Sequence, residues 1–170
     1  MKGETLNDIA KEIEVCRKCG LYKNSGRPVP GEGPADAKLM LVGQNPGVNE
    51  SLTGRPFVGR SGQFLNQVLE SVGLDRKKIF ITSIVKHKSP NNRTPTVEEI
   101  DACRPYLVKQ IQALNPRIVV LMGKVALETP RIGNITYVET CHPAAALRFP
   151  RYKKQFIEDF RRIKFLLKDS

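Results

Sequence analysis

Short apolar segments of strand-like composition alternate along this chain with longer segments of helical periodicity. The strand-like segments are residues 38–43 (KLMLVG), 79–85 (IFITSIV), 117–123 (RIVVLMG) and 135–140. Between and after them, apolar residues recur every three or four positions, which is typical of amphipathic helices. Strands that alternate with helices predict a parallel sheet covered on both faces. We therefore expect an α/β protein, a three-layer α/β/α sandwich with a four-stranded parallel sheet.

Capping residues indicate where several helices begin and end. Thr96 and Glu99 have the spacing of a capping box, so a helix is expected to begin there. Ser61 and Gly73 are expected to bound another helix. Residues 46–62 contain six glycines and prolines, and we expect them to form a loop.

The length and composition suit one ordinary globular domain, residues 1–170, with 40% hydrophobic and 26% charged residues. No apolar run approaches the roughly 20 residues that a membrane span needs. The first fifteen residues lack the apolar core of a signal peptide. We expect a cytoplasmic monomer with no membrane partner, in which cysteines are ligands or reactive thiols rather than disulfides.

The chain is strongly basic. It has 28 Lys and Arg residues against 17 Asp and Glu, a formal net charge of +11 and a pI near 9.7. Such an excess favours a polyanionic partner, and nucleic acid is the usual one. The alternative is a protein whose lysines simply keep it in solution.

Four residues have metal-ligand chemistry at suggestive positions. Cys16 and Cys19 form a Cys-x-x-Cys pair, and His87 and Cys103 are close in sequence after a predicted strand. Together they would hold a tetrahedral zinc ion or an iron–sulfur cluster, and spacing does not decide between them. The alternative is that Cys103 is a core residue of its helix and that the pair is incidental.

Polar and aromatic residues follow the predicted strands. The turn GQNPG places Gln44 and Asn45 at the end of the first strand, and His142 follows the fourth. In open α/β sheets, ligands bind at such strand ends. Phe57 lies in the loop RPFVGR, where an aromatic ring can stack on a planar base. Each feature also has a structural alternative: an ordinary turn, a structural histidine and an inward-packed ring.

Taken together, these motifs resemble one family. The stretches are CRKCGLY, LMLVGQNPG, TGRPFVGRSG, VK-x-K-x-PNNRTP, EEIDAC and CHPAAALR, which span Cys16 to Arg148. The chain is similar to family 4, the iron–sulfur-containing uracil-DNA glycosylases. The resemblance implies a structural 4Fe–4S cluster remote from the chemistry and a damaged base that swings out of DNA into a pocket. It also implies a nucleoid-associated location in a prokaryotic type of cell.

The resemblance implies a role for each matched residue. Phe57 stacks on the flipped base, Gly43 and Ser83 contact it, and His142 stabilises the departing oxygen. The implied cluster ligands are Cys16, Cys19, His87 and Cys103. The expected DNA contacts are Arg60, Lys86, Arg93, Leu147 and Arg148, of which Leu147 and Arg148 match the loop that wedges the strands apart.

Four positions depart from the family pattern. Gln44 stands where the family has a carboxylate, and the adjacent Asn45 makes an NPG motif that resembles mismatch-type glycosylases. We expect Asn45 to orient the attacking water, with slower turnover because an electrostatic contribution is missing. Ser83 replaces an asparagine that reads uracil, and His87 replaces a cysteine ligand. The alanines that follow His142-Pro143 replace larger residues.

We therefore expect a monofunctional glycosylase that releases a deaminated base, uracil first, and leaves an abasic site. One alternative is a glycosylase with a preference for hypoxanthine or mismatched thymine. Another is a non-catalytic protein that binds DNA damage, and a third is a flavodoxin-like nucleotide binder.

Overall fold

The computed structural model describes residues 3–168 and contains the expected sheet. Four strands, β1 (Leu39–Gly43), β2 (Phe80–Ser83), β3 (Ile118–Met122) and β4 (Thr136–Thr140), pair in the order β2-β1-β3-β4. All three pairings are parallel. The predicted four-stranded parallel sheet is confirmed, with each strand slightly shorter than its apolar segment.

Six α-helices pack around the sheet within the described range. They are α1 (Leu6–Glu14), α2 (Val48–Thr53), α3 (Arg60–Ser71), α4 (Val97–Leu114), α5 (Pro143–Arg148) and α6 (Pro150–Lys168). None of these helices is long and apolar enough to cross a membrane.

The two faces of the sheet support separate apolar cores, which makes the molecule three-layered. Alternate residues of β1 point to opposite faces, as the pleat of a strand requires. Met40 and Val42 pack with α1 and α4, whereas Leu39 and Leu41 pack with α3 and α6. Both cores are made of fully buried aliphatic and aromatic side chains.

Helix boundaries confirm one expectation and correct two. The capping box of Thr96 and Glu99 is present at the start of α4. Ser61 does not cap α3, because that helix begins one residue earlier, at Arg60, with Gly59 as its N-cap. The expected loop at 46–62 contains the short helix α2, whose first turn is capped by the carboxylate of Glu50.

The strand order places the ends of the two central strands side by side. The chain leaves β1 toward β2 on one side and leaves β3 toward β4 on the other. In such sheets a crevice opens where the order reverses, beyond the carboxyl ends of the strands. The segments that follow β1, β2 and β4 meet there.

Candidate active site

A cavity of about 460 Å³ lies at the carboxyl ends of the strands. Most of the residues expected from the sequence to form the site line this cavity. These expected residues are Gln44, Asn45, Phe57, Ser83 and His142. The lining also contains Glu50 and Asn92, which the sequence did not indicate. The fold therefore brings together side chains from loops that are far apart in the sequence.

Phe57 forms one wall of the cavity in an unusual backbone conformation. Its φ angle is +48°, which is rare for a bulky residue. The ring lies over Gly43, where an added Cβ would come within 2.6 Å of the ring carbon Cζ. A side chain at Gly62 would collide with the Phe57 carbonyl. The missing side chains of these two glycines thus make room for the aromatic wall.

Arg76 holds the Phe57 loop from behind the cavity. One terminal nitrogen, Nη1, donates to the Phe57 carbonyl at 2.9 Å, and the other, Nη2, donates to the Pro56 carbonyl at 2.6 Å. Nη1 also donates to Oδ1 of Asn66 at 2.6 Å, which orients the guanidinium. A planar fork with several donors is suited to bind two successive carbonyls.

Glu50 connects the first motif to the same loop. Its Oε1 accepts the Gly47 N–H at 3.0 Å, and its Oε2 accepts the Val58 and Gly59 N–H groups, both at 2.8 Å. The carboxylate therefore fixes the turn after β1 against the segment that carries the aromatic wall. Glu50 is the one acidic residue among those that line the cavity in the described chain.

Asn45 presents a carboxamide whose orientation is set by one neighbour. Its Nδ2 donates to the hydroxyl of the fully buried Ser89 at 3.0 Å. No hydrogen bond within residues 3–168 uses the Asn45 Oδ1. This oxygen is therefore available to accept a hydrogen bond from water in the cavity.

His142 is held in one tautomer at the start of α5. The Ala144 N–H donates to its Nδ1 at 3.0 Å, so the neutral ring carries its proton on Nε2. Burial lowers the pKa of this imidazole to about 4, and the ring is neutral at physiological pH. Its centroid lies 5.8 Å from that of Phe57. The backbone of Gly123 lies close to His142, and the lack of a side chain there permits this contact, because a Cβ at Gly123 would lie 3.1 Å from the His142 Cβ.

Gln44 and Ser83 complete the polar lining of the cavity. Ser83 is the last residue of β2 and is buried, and its hydroxyl makes no hydrogen bond to another described residue. Gln44 is half-buried and uses its backbone carbonyl to accept the Val85 N–H at 3.1 Å. Both side chains are thus free to contact a ligand.

Lys86 does not lie on the DNA-facing surface, and this expectation was wrong. Its side chain is fully buried, and its Nζ donates to Thr82 Oγ1, the Ser83 carbonyl and Gln110 Oε1 at 2.6–2.7 Å. Burial lowers its pKa to about 7. The ammonium group instead ties the end of β2 to α4, directly behind the Ser83 position.

The other expected DNA contacts lie at the surface. Arg60, Leu147 and Arg148 are exposed, the last two at the end of α5. Arg93 is partly exposed, and its two terminal nitrogens bind both carboxylate oxygens of Glu99 at 2.7 and 3.0 Å. Arg93 therefore has less donor capacity left for a phosphate than the free arginines have.

The three expected cysteine ligands lie around one apolar core, and none of them lines the cavity. Cys16, Cys19 and Cys103 pack against the same apolar core. The pKa of the Cys103 thiol is raised, mainly by burial and to a smaller extent by the thiols of Cys16 and Cys19. The backbone N–H of Lys86 donates to Cys103 Sγ at 3.3 Å, which places the neighbouring His87 near that thiol. His87 is buried, and its ring has no hydrogen-bond partner in the described chain.

The same four residues do not converge on a single point. Within residues 3–168, no three His, Cys, Asp or Glu side chains are close enough to share one metal ion. A tetrahedral zinc ion requires all its ligands within about 2.0–2.3 Å of one centre.

Sequence reasoning missed three residues that shape the cavity. Glu50 and Arg76 act through hydrogen bonds to backbone groups, which no sequence motif records. Asn92 lines the cavity with a φ of +55°, and the PNNRTP motif could have identified it, because asparagine is enriched at positive φ.

Comparison with known proteins gives a consistent result. Residues 30–161 match the Uracil DNA glycosylase superfamily. The chain is 37% identical over 183 residues to the type-4 uracil-DNA glycosylase of Archaeoglobus fulgidus, with 94% of this chain and 92% of the relative covered. It is 39% identical over 185 residues to the type-4 enzyme of Saccharolobus solfataricus, covering 95% and 86%. A type-5 uracil-DNA glycosylase of Pyrobaculum aerophilum is 38% identical over 129 residues, covering 67% and 57%.

Proposed function

The chain belongs to the uracil-DNA glycosylase superfamily, and from that premise we propose how its cavity releases uracil from DNA. The protein is a hydrolytic DNA glycosylase of base-excision repair, and DNA is its substrate. The roles of individual residues, the cofactor and the mode of DNA binding are our proposals. The single observation that carries them is the meeting of Asn45, Phe57 and His142 around one cavity.

The target base must leave the duplex before it can react, because the glycosidic bond is inaccessible within the stack. The extruded uracil enters the cavity and stacks against Phe57. The ring is already held in place by the Arg76 and Glu50 hydrogen bonds. The binding site for the base is thus preorganised, which reduces the cost of ordering it when the base arrives.

Asn45 orients the attacking water. Its Nδ2 donates a hydrogen bond to Ser89, so its Oδ1 is left to accept a hydrogen bond from water. This bond directs the water oxygen toward the sugar carbon. The glycosidic bond breaks with its electron pair on the base, and the water oxygen bonds to the sugar carbon. The proton that the water loses ends on the uracil anion, which becomes neutral uracil. The products are free uracil and an abasic site.

His142 stabilises the negative charge that develops on the departing base. The neutral ring donates from Nε2 to the pyrimidine oxygen, since Nδ1 is occupied by the Ala144 N–H. A preorganised donor of this kind typically contributes about 10²–10³-fold in rate. No positive charge on the imidazole is needed for this role.

The first motif offers no carboxylate, and we expect this to slow the reaction. Gln44 can contact the base or the water but cannot stabilise a positively charged sugar in the transition state. Glu50 is the nearby acid, but three backbone N–H groups already engage its oxygens. Ser83 has one short hydroxyl that both donates and accepts, so it reads the base less strictly than an amide does.

The test is base release from labelled DNA that carries uracil, hypoxanthine or thymine opposite guanine. The protein should come from a host without its own uracil-DNA glycosylase. We expect uracil release by the wild type and a loss of roughly 100-fold or more in Asn45→Ala. Gln44→Glu restores a carboxylate and should release uracil faster than the wild type.

Each of the other results has a definite meaning. Unchanged uracil release in Asn45→Ala would remove the water-orienting role of Asn45. Faster release of hypoxanthine or thymine than of uracil would replace the proposed substrate. Binding of damaged DNA without any release would identify a damage-binding protein.

We propose that Cys16, Cys19, His87 and Cys103 hold a 4Fe–4S cluster with a structural role. Three thiols on one core and an unpartnered buried imidazole support a cluster over a single zinc ion. Purified anaerobically, the protein should be brown, with broad absorption near 400 nm and about four irons per chain. A colourless protein with one zinc per chain would refute the cluster, and unchanged iron in His87→Ala would exclude this ligand.

DNA binding begins with phosphate contacts, for which Arg60 and Arg148 are the best placed of the expected residues. Leu147 lies beside Arg148 and is 41% exposed, so it is available to wedge between bases. We propose that the protein acts as a monomer, because a single chain supplies every residue of the proposed site. We also propose that it is cytoplasmic and associated with the nucleoid, where its DNA substrate lies.

A further inference from the structure

An exposed cluster of aromatic and basic side chains follows the pocket helix α5. Phe149, between α5 and α6, is 46% exposed, and Tyr152 in the first turn of α6 is 39% exposed. Their rings meet edge to face, with centroids 5.8 Å apart. The proposed mechanism uses neither ring, and contiguous exposed apolar groups are the kind of surface that marks interaction sites.

An arginine guanidinium lies over each ring. The Arg148 guanidinium lies 5.4 Å from the Phe149 ring centroid, and that of Arg151 lies 4.9 Å from the Tyr152 centroid. Arg151 also donates to the Tyr152 hydroxyl at 3.1 Å. Cation–π contacts are weak at exposed sites, so another planar group can replace them. We call Arg148, Phe149, Arg151 and Tyr152 the aromatic–arginine cluster.

The segment that carries the cluster is basic. Residues 147–155 (LRFPRYKKQ) contain four basic residues and no acidic residue. A basic surface with exposed aromatic rings is the composition that binds single-stranded nucleic acid, because phosphates contact the cations and bases stack on the rings. A protein partner with an apolar surface would not require the four cations.

The cluster is also close to the cavity. Ala144 lines the cavity in the first turn of α5, and Phe149 comes five residues later. A helical rise of about 1.5 Å per residue puts the two roughly 7.5 Å apart along the axis. That distance corresponds to about two base steps of a DNA strand. Bases beside an extruded nucleotide are therefore within reach.

We propose that the aromatic–arginine cluster is a stacking site for unpaired bases next to the extruded nucleotide. The inference rests on the proposed function in taking DNA as the ligand. It goes beyond that function by assigning a second binding site for bases, outside the catalytic cavity. Phe149 and Tyr152 supply the stacking surfaces, and Arg148 and Arg151 supply charge.

The test compares binding of an undamaged single-stranded oligonucleotide and the matching duplex, by fluorescence anisotropy. The double variant Phe149→Ala/Tyr152→Ala should bind the single strand on the order of tenfold more weakly or worse, with a much smaller loss for the duplex. The variant Phe149→Tyr/Tyr152→Phe keeps both rings and should bind like the wild type. Phe165→Ala removes a 61% exposed ring from the other end of α6 and should change neither affinity.

Two results would overturn the proposal. One is single-strand affinity in the ring-less variant equal to that of Phe165→Ala. The other is an equal loss for single strand and duplex, which indicates general backbone contacts rather than stacking. Thermal unfolding of each variant distinguishes lost contacts from lost folding.

This binding assay is independent of base release. If the wild type binds single-stranded DNA through its rings but releases no base, the proposed catalytic function fails and the stacking site stands. If base release is normal but affinity does not depend on the rings, only the stacking site fails.

Discussion

Single residues determine the chemistry of this cavity, and hydrogen bonds set the orientation of two of them. Ser89 leaves one oxygen of Asn45 free, and the Ala144 N–H leaves one nitrogen of His142 as a donor. The substitution of an amide for a carboxylate at Gln44 changes charge without changing shape. The identity of the site thus depends on protonation and orientation as much as on residue type.

The half-buried His142 predicts a pH dependence of stability. Its pKa is about 4 in the folded protein and about 6.5 when exposed, so the unfolded chain binds more protons between these values. Stability from this residue is therefore complete above pH 6.5 and is lost as the pH falls toward 4. Between pH 7.5 and pH 5, we expect His142 to contribute a loss of about 2 kcal/mol in the free energy of unfolding.

Urea denaturation at the two pH values measures this loss. His142→Gln cannot be protonated and should show a correspondingly smaller decrease than the wild type. Equal decreases in the two proteins would mean that His142 titrates normally in the folded state.

At the scale of elements, the loop between α2 and α3 matters most. It carries Phe57 at a positive φ, a conformation that typically costs about 1–3 kcal/mol and persists only when neighbours enforce it. Arg76 enforces it from the 3₁₀ turn (Arg76–Lys78) before β2, and Glu50 does so from α2. Two neighbouring elements therefore hold the aromatic wall in place.

Removal of the Arg76 contacts should let this loop relax. In Arg76→Gln, two carbonyls lose their donors, and we expect a fall of about tenfold in the single-turnover rate of uracil release. Arg76→Lys retains a single point donor and should be intermediate. Arg131→Gln is the matched control, because Arg131 is exposed and binds Glu139 at the surface. A wild-type rate in Arg76→Gln would show that the loop keeps its conformation without Arg76.

Most elements could be predicted from the sequence, but two short helices could not. Short, nearly continuous apolar runs located the four strands, and apolar residues at helical spacing located α4 and α6. The helices α2 and α5 have six residues each, too few for periodicity, and depend on Glu50 and His142 as local caps. Cavity residues at strand ends were predictable because a parallel sheet collects them at one edge.

Lys86 shows why the remainder of the site escaped prediction. In the sequence VKHKSP it precedes several polar residues and looks like a surface lysine. Its burial depends on Gln110 and Thr82, which accept its hydrogen bonds from two other elements. Such a position follows only from the assembled structure.

At the scale of the whole molecule, the net charge of +11 predicts strong salt dependence of DNA binding. Loss of one phosphate contact in Arg60→Ala should reduce the slope of log affinity against log salt by about one. Lys86→Met should leave the slope unchanged, because the side chain is buried. Its effect should instead be a loss of about 3 kcal/mol in stability, from three unpaired acceptors.

Anisotropy titrations at several salt concentrations measure the slope, and chemical denaturation measures the stability. A reduced slope in Lys86→Met would mean that this lysine reaches DNA after all. An unchanged slope in Arg60→Ala would place the phosphate contacts elsewhere on the basic surface.

Close packing beside the cavity at Gly43 and Gly123 depends on backbone without a side chain, whereas the chemistry of the cavity depends on side chains. Gly43 makes room for the Phe57 ring and Gly123 makes room for His142, so the shape of the cavity depends on these two pairs more than on its other lining side chains. Gln44, Ser83 and Ala144 contribute their side chains to the cavity and none to either apolar core. These three positions can therefore be randomised with little loss of folding, which makes the protein a practical starting scaffold for engineering enzymes that excise other bases.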